Sequence, residues 1–81
     1  MSHEPDLSER HPATQQVARW LDPNPRLPAG APASVAAVMR DARDRLLELV
    51  DDGPELTVAL RHLVDAKDAG VRQAISDTET R

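Results

Sequence analysis

Residues 51–75, DDGPELTVALRHLVDAKDAGVRQAI, combine a chain turn with a long helical pattern. Gly53 can take the left-handed conformation that ends one helix, and Pro54 is favoured at the first position of the next. Asp52 or Gly53 is expected to cap the N-terminus of the helix that begins at Pro54. The spacing of apolar residues then predicts a helix over residues 54–76.

Two apolar stripes run along this predicted helix. The first contains Leu56, Leu60, Leu63, Lys67, Gly70 and Ala74, and the second contains Val64, Val71 and Ile75. One neighbouring helix cannot cover both stripes. The second stripe therefore predicts a partner, most simply another copy of the chain.

Two further helices are predicted upstream. A short one spans residues 12–21, and because it is too short to be stable alone in water it needs a surface on which to dock. Ser34 is a candidate N-cap for a helix over residues 34–51. The apolar positions of that helix are Val35, Val38, Met39, Ala42, Leu46, Leu49 and Val50. The proline-rich residues 22–32 between the two helices predict a stiff, extended strap.

The domain organisation follows from these elements. The 81 residues make one domain, with a disordered N-terminus over residues 1–10, a helical domain over residues 11–76 and a frayed tail over residues 77–81. The fold class is all-α, an antiparallel two-helix hairpin with a short N-terminal helix. A chain this small without cysteine needs support other than disulfides, and we expect a homo-oligomer.

Composition restricts the classes of ligand. The net charge is −4, and nine of the ten basic residues are arginine. Duplex nucleic acid is bound through many basic contacts, which this chain lacks, but two or three converging arginines suffice for a small phosphate ligand. A GC-rich coding sequence explains the arginine bias equally well. Without a run of about 20 apolar residues or a signal peptide, we expect a soluble, cytoplasmic protein with no membrane partner.

Several residues permit both a functional and a structural interpretation. Trp20, the only aromatic residue, is either a platform on which a nucleobase stacks or an anchor for the short helix. Thr57 and Arg61 either hold a phosphate near a helix N-terminus, or Thr57 only caps the helix and Arg61 is only a surface arginine. Lys67 falls among the leucines, and Gly70 indicates a close approach, either of a ligand or of another helix.

The acidic residues of the second helix raise the question of metal-dependent chemistry. Asp41, Asp44, Glu48 and Asp51 form a ladder that could bind magnesium, but arginines interleave with it and a solvated face is the simpler interpretation. The sequence contains no nucleophile–base pair, phosphate loop or HExxH motif. We therefore expect no enzymatic activity, no metal and no cofactor.

The segment PELTVALRHLVDAKDAGVR resembles the anti-CBASS sponges, small phage proteins that sequester cyclic oligonucleotides. The resemblance covers residues 51–75 closely and residues 11–27, with HPATQQV and the following Trp20, more weakly. It implies a helical hairpin assembled into a homohexamer that binds cyclic dinucleotides between protomers, and cyclic trinucleotides at a separate site, without cleaving them. In this chain Trp20 stands in place of the tyrosine that stacks on a base. The candidate ligand-binding residues are Trp20, Arg26, Glu55, Thr57, Arg61, Lys67 and Arg72.

The function that the resemblance implies is that of a phage anti-defence protein acting in the cytoplasm of an infected bacterium. The alternative is a helical protein-interaction module or an inhibitor of a host protein. A metal-dependent hydrolase built on the acidic ladder is a more distant third hypothesis.

Overall fold

A computed structural model describes residues 7–79, and within that range the chain forms helices and no strands. Helix α1 spans Pro12–Ala18 and continues as a 3₁₀ turn, Arg19–Leu21. Helix α2 spans Ala31–Leu49, and helix α3 spans Pro54–Glu79. The all-α fold class is confirmed. Each of the three α-helices has a proline in its first turn, where the missing N–H costs nothing.

The main apolar core lies where α1 and its 3₁₀ turn meet the facing ends of α2 and α3. Its buried members are Ala18, Leu21, Leu47, Leu56 and Leu60. Away from this core, Val35 near the start of α2 lies against Gly70 in the C-terminal half of α3. The two long helices therefore run side by side in opposite directions.

The start of α2 differs from the prediction. The helix begins at Ala31, and Ser34, predicted as the N-cap, instead donates its backbone N–H to Gly30 O at 3.0 Å within the first turn. Gly30 is the cap, with φ of 93°, a conformation that glycine adopts without steric cost. The helix begins before Pro32, because proline is tolerated in the first turn of a helix.

The turn between α2 and α3 also differs from the prediction. Helix α2 ends at Leu49 rather than Asp51, because Val50 is extended. Gly53 precedes α3 as expected, and its carbonyl accepts hydrogen bonds from Leu56 N and Thr57 N. Gly53 does not take the predicted left-handed conformation, since Gly30 is the only residue with positive φ among residues 7–79.

The C-terminal end of α2 is held by Arg10, in a stretch that was expected to be disordered. Its guanidinium donates to Leu47 O at 3.1 Å, to Val50 O at 3.0 Å and to the Asp52 carboxylate at 3.0 Å. Leu7 packs on the core from the same turn. The other residues of the stretch, 1–6, lie outside the described part. At the opposite end α3 runs to Glu79, beyond the predicted end at Ser76.

The packing of α3 contradicts the expectation that its second apolar stripe can be buried only by another copy of the chain. Val71 is buried and Val64 packs against the apolar core, so both are covered at least in part within a single chain. The large exposed apolar side chains lie mostly elsewhere, at Trp20, Val38, Leu49, Val50 and Val58. An oligomer stays a prediction, but the second stripe of α3 is not the surface that calls for one.

Gly70 lies at a helix crossing inside the chain, as one of the two interpretations of this residue predicted. A Cβ at this position would meet Val35 Cγ1 at 2.7 Å, well inside van der Waals contact. The alanine that would normally be favoured in a helix by about 1 kcal/mol is therefore opposed by overpacking, which costs about 1–3 kcal/mol.

We expect Gly70→Ala to destabilise the protein by up to about 2 kcal/mol, and the same substitution in a Val35→Ala background to be neutral or stabilising, because the smaller side chain makes room. Urea unfolding of the four proteins in this cycle measures the coupling. An equal stabilisation by Gly70→Ala in both backgrounds would show that the contact with Val35 is unimportant.

The carboxylate of Asp52 joins the N-terminal segment to the turn before α3. The His11 backbone N–H, donating at 2.8 Å, is the largest cause that lowers the pKa of Asp52; partial desolvation opposes it, and the Thr14 hydroxyl and Arg10 add to the lowering. A folded pKa below the ordinary value means that this carboxylate stabilises the fold fully above the unfolded pKa, near 3.8.

We expect wild type to melt at a higher temperature than Asp52→Asn at neutral pH, and the gap to shrink as the pH falls below about 4 and the carboxylate takes up its proton. Circular dichroism melts of both proteins over a pH series provide the measurement. A gap that stays constant down to the lowest pH would contradict the pKa shift.

Candidate functional site

Trp20 is held at the surface by its neighbours in the 3₁₀ turn. The side chains of Ala18 and Leu21 enter the core, and Leu21 is only 1% exposed, whereas Trp20 is 65% exposed. The tighter 3₁₀ turn after α1 sets these adjacent residues on different sides of the chain. Leu21, not Trp20, is therefore the side chain that anchors the short helix, and the indole remains available for contact.

The backbone around Trp20 is held by two cations from the long helices. Arg43 of α2 donates to Ala18 O at 2.9 Å and to the Asp22 carboxylate at 2.5 Å. Lys67 of α3 donates to Trp20 O. Lys67, predicted as a ligand contact because it falls among the leucines, thus directs its ammonium to a backbone carbonyl of this chain.

Arg43 was not singled out from the sequence, although it is the most buried charged side chain of the described residues, at 3% exposure. Burial works to lower its pKa, but the hydrogen bonds and charges of Asp22 and Asp44 outweigh burial, so the pKa lies above the ordinary value for arginine. The guanidinium therefore stays charged, and both of its carboxylate partners stay paired with it.

A cleft of about 460 Å³ opens beside the indole, and we call it the Trp20 cleft. Helix α1 and the 3₁₀ turn form one wall, and α3 forms the other. Its lining residues are Gln16, Val17, Trp20, Arg61, Val64 and Asp65. Two of the seven predicted site residues, Trp20 and Arg61, are thereby brought together, one supplying an aromatic face and the other a guanidinium.

The remaining predicted residues lie apart from this cleft. Lys67 and Arg72 line a neighbouring cleft of about 210 Å³ that also contains Asp22 and Asp68. Thr57 lines a third cleft, of about 320 Å³, near the start of α3.

The Thr57 hydroxyl donates to Pro54 O at 2.8 Å, in the first turn of its own helix. Glu55 and Arg26 are exposed and line none of these three clefts. The phosphate site predicted from Thr57 and Arg61 stays a prediction, and within one chain these two residues line different clefts.

The arginines of the described part fall into two groups. Arg10, Arg40, Arg43 and Arg45 form ion pairs with aspartate or glutamate. No ion pair within residues 7–79 involves Arg19, Arg26, Arg61 or Arg72. Arg61 is thus one of four arginines without an ion pair in the described residues, and Arg19, beside Trp20 in the chain, is the one of the four that could not be singled out from the sequence.

Three of the four residues of the acidic ladder form ion pairs with arginines of α2, and the fourth, Asp51, lies beyond the end of this helix. Asp41 pairs with Arg40, Asp44 with Arg43, and Glu48 with Arg45. In the part of the chain that the structure describes, no three histidine, aspartate or glutamate residues are grouped so as to hold a metal ion. None of the described helices is both long enough and apolar enough to cross a membrane.

Comparison with protein-family models, with curated proteins and with solved structures found no match to this chain. The role of the Trp20 cleft is therefore argued from its geometry.

We expect Lys67→Met to loosen the Trp20 turn while leaving the long helices intact, because one hydrogen bond to a backbone carbonyl, worth about 1 kcal/mol, is lost. Trp20 is the only aromatic residue, so its fluorescence anisotropy reports on this turn alone. The anisotropy should fall in Lys67→Met. It should not change in Arg72→Met, which removes an exposed cation from the cleft that Lys67 also lines. Equal anisotropy in both variants would show that Lys67 does not hold the turn.

Proposed function

We propose that this protein binds cyclic oligonucleotide second messengers and sequesters them without cleaving them, as a phage anti-defence protein in the cytoplasm of an infected bacterium. The observation that carries the proposal is the exposed Trp20 indole beside the unpaired Arg61 guanidinium in one cleft. A nucleotide presents both groups that these side chains recognise, an aromatic base and a phosphate.

The energies of the two contacts are adequate for a small ligand. Stacking a base on an aromatic side chain contributes about 1–3 kcal/mol, and a charged hydrogen bond contributes about 1.5–3 kcal/mol. The volume of about 460 Å³ falls in the range of small-molecule sites. Because the chain carries a net charge of −4, a compact anion held by a few arginines suits it better than a long polyanion.

Assembly of several copies belongs to the proposal. We propose that the α2–α3 hairpin with its N-terminal helix forms a homo-oligomer, a hexamer by the resemblance of residues 51–75, in which a second copy closes the open cleft. The exposed side chains of Trp20, Val38 and Leu49 support association, since each buried Å² of apolar surface contributes about 25 cal/mol. In such an assembly Arg26, Glu55, Thr57 and Arg72 of neighbouring copies could approach a shared ligand.

A helical protein-interaction module, or an inhibitor of a host protein, is the second candidate. It is favoured by the outer face of α2, where Val38 and Leu49 are 60% and 63% exposed. They lie eleven residues apart, three helical turns, and so project in nearly the same direction. A partner helix or groove could cover this face without involving the Trp20 cleft.

Retention of ligand separates the two functions. We expect the purified protein to retain labelled cyclic dinucleotide or trinucleotide through size exclusion, at a mass above the 8.9 kDa of one chain by light scattering. The ligand should be released chemically intact on denaturation. Retention of neither class would refute sequestration of these ligands and leave the interaction module as the better explanation.

Substitution of residues that line the Trp20 cleft tests whether the ligand binds there. Trp20→Ala and Arg61→Ala should each weaken binding about tenfold or more, since a loss of about 1.4 kcal/mol changes affinity tenfold. Arg45→Ala is the matched control, because Arg45 is an exposed arginine of α2 that pairs with Glu48 and lies outside the cleft. Equal affinity in all three variants would place the ligand elsewhere.

A further inference from the structure

Asp65 is a carboxylate of the Trp20 cleft whose role the proposed function leaves open. It is exposed, and no hydrogen bond or ion pair is found for it within residues 7–79. It follows Arg61 by four residues, one helical turn, yet the two side chains do not pair. By contrast Arg45 and Glu48, three residues apart on α2, form an ion pair at 2.8 Å.

A free carboxylate in an anion-binding cleft must face a part of the ligand other than its phosphate, because two anions repel each other. An ionised carboxylate only accepts hydrogen bonds and can accept two in parallel. Guanine presents two adjacent donors on its Watson–Crick edge, N1–H and the N2 amino group. Adenine presents one donor beside the N1 lone pair, which a carboxylate repels.

Gln16 completes the set of polar groups along this edge. It comes from α1 on the wall opposite Asp65, and its amide can donate to the O6 carbonyl of guanine. The base would then stack on Trp20 and have its edge read from both walls, while Arg61, one turn from Asp65, takes the phosphate. Each of the four side chains is thereby assigned one part of a guanine nucleotide.

We propose that Asp65 makes the Trp20 cleft selective for guanine over adenine. This selectivity rests on the proposed function, since it concerns the base of the nucleotide that the cleft binds. A good bidentate contact to a base edge discriminates between bases by about tenfold or more.

Fluorescence of Trp20 tests the selectivity directly, because no other aromatic side chain contributes. Cyclic di-GMP and cyclic di-AMP are titrated separately into the full chain, with excitation at the red edge of indole absorption. We expect cyclic di-GMP to quench the emission at about tenfold lower concentration than cyclic di-AMP. In Asp65→Asn, where an amino group replaces one acceptor oxygen, the ratio should fall close to one.

Asp68→Asn is the matched control, because it removes the same charge from the same helix but lies in the neighbouring cleft with Lys67 and Arg72. Removal of a negative charge strengthens phosphate binding in both variants, so the guanine-to-adenine ratio, not the affinity, isolates the contact with the base. The ratio should stay at its wild-type value in Asp68→Asn.

Three results would overturn the selectivity. If both cyclic dinucleotides quench equally in wild type, or if Asp65→Asn leaves the ratio unchanged, Asp65 does not read the base, and ligand sequestration itself still stands. If neither cyclic dinucleotide alters the emission, the cleft takes no such ligand, and the selectivity fails together with the proposed use of the cleft.

Discussion

The buried guanidinium of Arg43 is the interaction on which the arrangement of this protein depends. It joins α2 to the end of α1 through Ala18 O and to the following strap through Asp22. Asp22 is 53% exposed, so this ion pair is only partly buried, and losing a hydrogen bond to the charged guanidinium costs about 1.5–3 kcal/mol. Because α1 and its 3₁₀ turn form one wall of the Trp20 cleft, Arg43 also holds this wall of the candidate site in position.

The helices themselves could be predicted from the periodicity of apolar residues and from the positions of proline and glycine. The partners that the charged side chains of these helices contact could not be predicted. Lys67 was noticed because it falls among leucines, and the same reasoning applies to Arg43, which lies four residues before the buried Leu47 and seven after the buried Ala36. Both cations turned out to bind backbone carbonyls of the chain. A cation at an apolar position therefore indicates a nearby hydrogen-bond acceptor, which can belong to the protein as readily as to a ligand.

The candidate site was predictable in part for a related reason. Residue type identified Trp20 and Arg61, and the docking of α1 against α3 brings them into one cleft. Glu55, Thr57 and Arg26 lie apart from it, because spacing along one helix says which residues share a face but not which face the short helix covers. Asp65 and Gln16 were missed since a single exposed polar residue has no signal in the sequence until its neighbours across the cleft are known.

The bonds that fix the N-terminal segment span long stretches of chain, 42 residues from Arg10 to Asp52 and 47 from Trp20 to Lys67. The contacts between α2 and α3 around their turn are nearer in sequence, and such contacts form at a lower cost in chain entropy. The long pair is therefore expected to fold first and the N-terminal segment to dock onto it. Local opening would follow the reverse order. The wall that carries Trp20 could then detach while the long helices stay folded, so that the lifetime of the binding cleft would be set by a partial opening rather than by unfolding of the whole chain.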